Sequence, residues 1–278
     1  MMLLADTALP PGSFAVATVN HGLRGEAAAE CALVQRVCAD RAIPCTTLAA
    51  TVPPGNVQSQ ARAARYAVLA EWAQDGGLAA VATAHQADDQ VETVLMRLAR
   101  GSGVAGLAGV RARGLVPGST VQLVRPMLGF TRAECEAVVA RAGIDWVRDP
   151  SNRDLRYDRV RLRQALAGSD LLVPERIAAS AAACADADAA LDWAADREWA
   201  VQVDLVAGAI HYRPQAPRAI AMRVVARAVA ELGGSLRGSQ AAELVDVLVA
   251  GGQANVGGVL ARAAAGYWHF TAEPPRRA

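Results

Sequence analysis

The chain has no lysine: all 28 of its basic residues are arginine. That absence excludes side-chain amine chemistry, so neither a Schiff base nor a lysine nucleophile can be built from these residues. A strongly basic balance is missing too. The formal net charge is +1, so no global field advertises nucleic acid, and any RNA contact must come from local arginine clusters. The five cysteines (Cys31, Cys38, Cys45, Cys135 and Cys184) form no CxxC and no Cys/His pair at zinc spacing. Cys31 and Cys38 are spaced to share one helix face and read as buried free thiols. An odd, sparse set of thiols suits a reducing cytoplasm. No segment reaches the roughly 20 apolar residues that span a bilayer. "MMLLADTALPPG" lacks the basic region and the apolar length of a signal peptide. The expectation is a cytoplasmic protein without membrane contact. Internal repeats are absent as well.

What is present is an alternation of elements. "FAVATVNHG" (14–22) is a valine-rich strand ending in polar residues and glycine. "EAAAECALVQRVCADRA" follows as a helix, "PCTTLAATV" as a strand, and "NVQSQARAARYAVLAEWAQDGG" as a helix with a glycine stop. "LAAVATAHQ" is again a strand, and 88–100 a helix with Val91, Val94, Leu95 and Leu98 along one side. "VQLVRPML" adds a strand, and "TRAECEAVVARAG" a helix with Thr131 as N-cap and Glu134 closing a capping box. This order implies an α/β fold, a parallel sheet with helices on both faces. Such sheets bind ligands at the carboxyl ends of their strands, where His21 and His85 both fall. From about residue 165 the pattern changes to a long alanine-rich helical stretch, two helices near 217–232 and 239–250, and a terminal hairpin over "VGGVLARAAAGYWHFTA". The expected division is one domain over 1–165 and a smaller, mainly helical one over 166–278.

Four constellations bear on chemistry. In "HQADDQVET", Asp88 and Asp89 open a helix, where negative charge complements the macrodipole. Capping needs one acid, however, and adjacent carboxylates repel. Paired oxygen ligands at a strand end suit Mg²⁺ carrying substrate phosphates, with His85 and Glu92 one turn to either side. "GSGVAGLAG" formally satisfies GxGxxG, but a helix precedes it where a dinucleotide fingerprint needs a strand. Gly101 and Gly103 then either stop a helix or offer backbone amides to phosphate. Arg62 and Arg65 share one helix face, which is either solvated or a clamp for an anion. "DPSNRDLRYDRVRLR" (149–163) is the most basic local stretch, either an ion-paired linker or an RNA-backbone contact.

In order, "TVNHGLR", "GNVQSQARAARY", "TAHQADDQVETVLMRLARGSGVAGL", "RPMLGFTRAE" and "WVRDPSNRDLRYDRVRLR" resemble the tRNA(Ile)-lysidine synthetase family of N-type ATP pyrophosphatases. The resemblance is dense over 14–166 and weaker beyond. It implies an adenine nucleotide alpha hydrolase-like fold, with ATP and Mg²⁺ as cofactors. It further implies adenylation of C2 of the wobble cytidine in tRNA(Ile) with a CAU anticodon, then displacement of AMP by free L-lysine. By that resemblance His85, Asp88, Asp89 and Glu92 are catalytic, Asp88 and Asp89 also serving the metal. His21, Arg24, Arg62, Arg65, Gly101 and Gly103 would meet the nucleotide, and Arg125, Asn152, Arg156, Arg159 and Arg163 the tRNA. A homodimer is among the assemblies it allows.

One departure stands out. The family opens with a strand and an SGGxDS loop whose amides hold the ATP pyrophosphate, and this sequence contains neither. The expectation is that residues 1–278 alone do not turn over ATP. Two other readings stay open: a non-catalytic remnant that binds tRNA or nucleotide, and another enzyme of the superfamily such as a tRNA thiolase.

Overall fold

A computed structural model describes residues 1–22, 25–55, 57–145, 156, 158–166 and 172–273. The chain divides into two compact units, Met1–Ala185 and Asp186–Ala278. The division falls inside a helix, later than the 165/166 boundary read from composition.

The first unit opens with α1 (Met2–Ala8), β1 (Val16–Asn20), α2 (Ala27–Ala39), β2 (Cys45–Ala49) and α3 (Val57–Asp75). β1 and β2 pair in parallel, Val16 opposite Cys45 through Asn20 opposite Ala49. Side chains alternate across β1 as the pleat requires. Ala17 and Val19 join the core beneath α3, while Thr18 donates to Cys31 Sγ of α2 at 3.4 Å. Helices therefore cover both faces, as the alternation predicted. Cys31 and Cys38 are buried free thiols, as their spacing predicted.

Next come β3 (Ala80–Ala82), α4 (Ala87–Leu98), α5 (Val104–Leu107), β4 (Arg113–Leu115), β5 (Gln122–Val124), α6 (Arg132–Arg141) and α7 (Asp158–Leu166). β3 pairs with β5 in parallel, and β4 adds an antiparallel edge that the sequence reading did not anticipate. Val81 and Leu123 pack under α3 with Tyr66, Leu69, Ala70 and Ala73. The α6 capping box forms as read: Glu134 N donates to Thr131 Oγ1 at 3.3 Å, and Thr131 N to Glu134 Oε2 at 2.7 Å.

The parallel sheet is not continuous. β1–β2 and β3–β5–β4 are separate sheets that share α3 as a roof. Because Val16 N and Asn20 O bond on the β2 side, alternation turns the amides of Ala17 and Val19 to the opposite edge. Thr83 N bonds Val124 O, so Ala80 and Ala82 present their amides away from β5. Neither edge is paired among the described residues. β1 is only half-buried along its length, unusual for the middle of a parallel sheet, which is normally covered on both faces.

α8 (Pro174–Gln202) crosses the division. The second unit continues with β6 (Val203–Val206), β7 (Ala209–Tyr212), α9 (Arg218–Glu231), α10 (Gln240–Val249), β8 (Gln253–Val256), β9 (Val259–Ala264) and β10 (Tyr267–Ala272). The helices near 217–232 and 239–250 are where the periodicity put them. The expected hairpin is larger than read: β9–β10 is the middle of a five-stranded antiparallel sheet ordered β6-β7-β10-β9-β8. Tyr212, Phe270, Trp268, Ile210, Val259 and Ala261 on one face of this sheet form the core with Val224, Val225 and Leu248. Among the described residues no helix is long and apolar enough to cross a membrane.

Candidate functional site

The ends of three strands meet the start of one helix. β1 hands the chain to His21, β3 leads through Thr83 to His85, and β5 is followed by Arg125. Arg62 and Arg65 descend from the first turns of α3. Arg65 Nε donates to His21 Nε2 at 3.3 Å. The neutral imidazole then carries its proton on Nδ1, and that atom is buried without a partner. His21 also lines a cavity of about 300 Å³ together with Thr18, Val19, Ala27, Glu30 and Cys31. Arg125 Nη1 donates to the Arg111 carbonyl at 2.7 Å, and its Nε is likewise buried and unpartnered. Two orphaned N–H donors at strand ends call for a ligand rich in acceptors, because a buried donor without one costs about 1–3 kcal/mol.

The electrostatics agree. Burial is the main force holding His85 below its ordinary value of 6.5. Asp89 pulls it back up, while Arg125, Arg62 and Arg159 push it down. His85 Nδ1 lies 2.9 Å from Thr83 Oγ1. Burial and then Arg65 lower His21 as well. Arg62 is steadied by Tyr66, stacking over its ring at 5.0 Å and donating to its hydroxyl at 3.3 Å. Three arginines, from α3, from the position after β5 and from α7, thus act on one neutral imidazole. For a histidine depressed in the folded state, the unfolded chain binds more protons below 6.5. Its stabilising contribution is complete above 6.5 and is lost as pH falls from there through the lower folded value. The urea midpoint should therefore fall on acidification below pH 6.5, and His85→Gln should flatten that fall. A slope identical in the variant would remove this account of His85.

The adjacent acids have separate tasks. Asp89 Oδ2 accepts from Gln86 N at 2.9 Å and closes the capping box of α4. Asp88 Oδ2 instead accepts from Arg132 N at 2.8 Å, at the first turn of α6. One acid per helix start explains why two adjacent acids occur here, a structural reason the sequence did not offer. Among the described residues the second carboxylate oxygen of each has no hydrogen-bond partner. Among the described residues no three His, Cys, Asp or Glu side chains converge as a metal site. Asp88 and Asp89 do not by themselves cage a metal, and Mg²⁺ bound there would need most of its oxygens from substrate phosphates and water. Glu92 is buried and faces Arg163, Oε1 receiving Nε at 2.8 Å and Nη2 at 2.7 Å. The structure therefore gives this pair a packing task between α4 and α7.

The glycine-rich turn is also fixed from within. Gly101 takes a φ of +69° just beyond α4, and Gly103 caps α5. Arg97 Nη1 donates to the carbonyls of Gly106 at 2.8 Å and Gly109 at 2.9 Å. Gln90 exchanges two hydrogen bonds with Val110. Gly109, at φ +61°, has no room for a Cβ against the Gln90 carboxamide. Gln90 and Arg97 were not singled out from the sequence, although they lie two turns apart on one helix side. Thr83 was also missed; its signal was a polar residue at a strand's carboxyl end. Arg156 and Arg159 are exposed. Arg24 and Asn152 lie outside the described residues.

Comparison with known proteins follows the same lines. A family model described as a PP-loop domain matches residues 2–169. A tRNA(Ile)-lysidine synthase of Novosphingobium aromaticivorans is 47% identical over 282 residues, covering 100% of this chain and 86% of its own. One from Zymomonas mobilis is 36% identical over 267 residues, covering 94% and 81%. Among solved structures, the U34-tRNA thiolase NcsA from Methanococcus maripaludis aligns with a TM-score of 0.52 and 16% identity over 65% of each chain. That likeness concerns the fold alone. The matched domain and the near-complete overlap with these relatives place the chain in the tRNA(Ile)-lysidine synthase family of PP-loop proteins.

Proposed function

We propose that this chain serves the ATP-dependent ligation of L-lysine to C2 of the wobble cytidine in tRNA(Ile) with a CAU anticodon. The observation that carries the reading is the set of buried N–H donors without partners, His21 Nδ1 and Arg125 Nε, at strand ends beside Arg62 and Arg159. In the first step the cytidine O2 attacks the α-phosphorus and diphosphate leaves with the electrons of the broken P–O bond. In the second, the lysine amine attacks C2, the C2–O bond breaks, AMP departs and the amine loses a proton. Fixed positive charge at the phosphates is the expected dominant contribution, which assigns Arg62 and Arg125 to that anion and leaves the exposed Arg159 to the tRNA backbone. His21 and its cavity face the nucleoside. The free oxygens of Asp88 and Asp89 suit the incoming ammonium, and neutral His85 can take the proton it sheds. Mg²⁺ would arrive with the ATP. A cytoplasmic location and a homodimer belong to the same reading.

The unpaired edges of β1 and β3 suit an extended segment that would hydrogen-bond to both and complete the sheet. In the resembled family that position holds the strand ending in SGGxDS. The test uses unmodified tRNA(Ile) transcript, ATP and labelled lysine, with residues 1–278 alone and with a strand-and-loop segment placed ahead of them. The expected result is lysine in RNA, with AMP released, only when the segment is present. Incorporation by residues 1–278 alone overturns the role of the slot. None in either case overturns the ligase.

A further inference from the structure

The outward face of the five-stranded sheet in the second unit carries one continuous polar row. Pairing register places Asp204 of β6 opposite His211 of β7, His211 opposite His269 of β10, His269 opposite Arg262 of β9, and Arg262 opposite Gln253 of β8. All five alternate with the core residues of their strands, so they look away from the core. His211 and His269 meet edge to face with ring centroids 4.6 Å apart, and the Tyr267 ring lies 6.2 Å from His269. Arg213, exposed directly after β7, continues the alternation onto this face. The arginines of α9 are all engaged: Arg218 with Asp246, Arg223 with Asp188 and Asp192, Arg227 with Asp196. Arg213 and Arg262 have no acidic partner among the described residues. The carboxylates at hand are Asp204 on the edge strand and Glu273, which accepts from Asn255 Nδ2 at 3.3 Å.

Three clustered rings on a half-exposed sheet face, flanked by two unpaired guanidinium groups, have the chemistry of a stacking platform for unpaired nucleobases with cations for the adjoining phosphates. We infer that this sheet face binds a single-stranded stretch of RNA, with His211, His269 and Tyr267 stacking bases and Arg213 and Arg262 meeting the backbone. The inference rests on the reading of an RNA substrate, yet its readout is binding and does not require ligation.

The test measures filter binding by the full chain to tRNA, to a single-stranded oligoribonucleotide and to a blunt RNA duplex, across a salt series. The variant His211→Ala/His269→Ala should bind the two unpaired-base ligands about tenfold more weakly, with little change for the duplex. His211→Phe/His269→Phe, which keeps the rings, should retain binding. Arg213→Gln/Arg262→Gln, at exposed positions that spare the fold, should lower the salt slope by about one to two. Unchanged affinity in the alanine and arginine variants overturns the platform, as does an equal loss on the duplex. If RNA binding responds as stated while lysine is never incorporated, the platform stands and the ligase reading alone fails.

Discussion

Asp89→Asn in a ligation-competent protein is expected to reduce lysine incorporation by roughly a hundredfold or more while leaving the melting temperature almost unchanged. The asparagine carbonyl can still accept from Gln86 N, the bond that Asp89 Oδ2 now makes at 2.9 Å, so the cap of α4 survives. What disappears is the negative charge beside His85, which at present raises that imidazole against the opposing arginines. His85 should then titrate lower still, visible in its imidazole NMR signals. Asp89→Ala removes charge and cap together and should add a stability loss of about 1 kcal/mol. Asp88→Asn provides the parallel control, because its carbonyl can still serve Arg132 N on α6. If both Asp89 variants ligate lysine normally, Asp89 is a helix cap and nothing more, and the proposed catalytic role of the acid pair falls.

The difference between these two acids marks what the sequence could show. The Thr131–Glu134 box was legible because both partners lie within one turn. The Asp88–Arg132 bond joins residues 44 positions apart, and no local pattern announces it. From sequence, adjacent aspartates read either as helix capping, which needs only one acid, or as paired oxygen ligands suited to Mg²⁺. In the fold two helix starts share the charge. The placement of His21 and His85 was legible for a different reason. Valine-rich strands end visibly, and topology alone sends their carboxyl ends to the ligand side.

The second unit shows the reverse case. β6 has the sequence VDLV and continues directly from α8 without a break, so no turn signal separates them. Its hairpin to β7 turns through Ala207 and Gly208, both at positive φ (47° and 80°), where Asn-Gly would have been the recognisable pair. The sheet was thus read as one terminal hairpin, and the facing of His211 and His269 stayed hidden, since it depends on pairing β7 with β10. The gap between β1 and β3 was foreseen only through the resemblance, because each strand reads normally by itself.

The largest stability effect is expected at Arg163. Glu92 is 3% exposed, its Oε1 takes both contacts from Arg163, and its Oε2 has no partner. Arg163→Ala would leave a buried carboxylate without its cation, a change that costs about 3–5 kcal/mol where whole domains are stable by only about 5–15 kcal/mol. A fall of roughly 10 °C in melting temperature should follow. Glu92→Gln alone should cost less, because it discards the charge that needs compensation. Glu92→Leu/Arg163→Leu should recover most of the loss of Arg163→Ala, since apolar groups can replace a buried ion pair without penalty. The same pair bears on RNA. A guanidinium spent on Glu92 is not available to a phosphate, so Arg163→Gln should leave the salt slope of tRNA binding unchanged, whereas Arg159→Gln should lower it by about one. A melting temperature that hardly moves in Arg163→Ala would show that the ion pair does not hold α7 to α4, and would return Arg163 to the candidate RNA contacts.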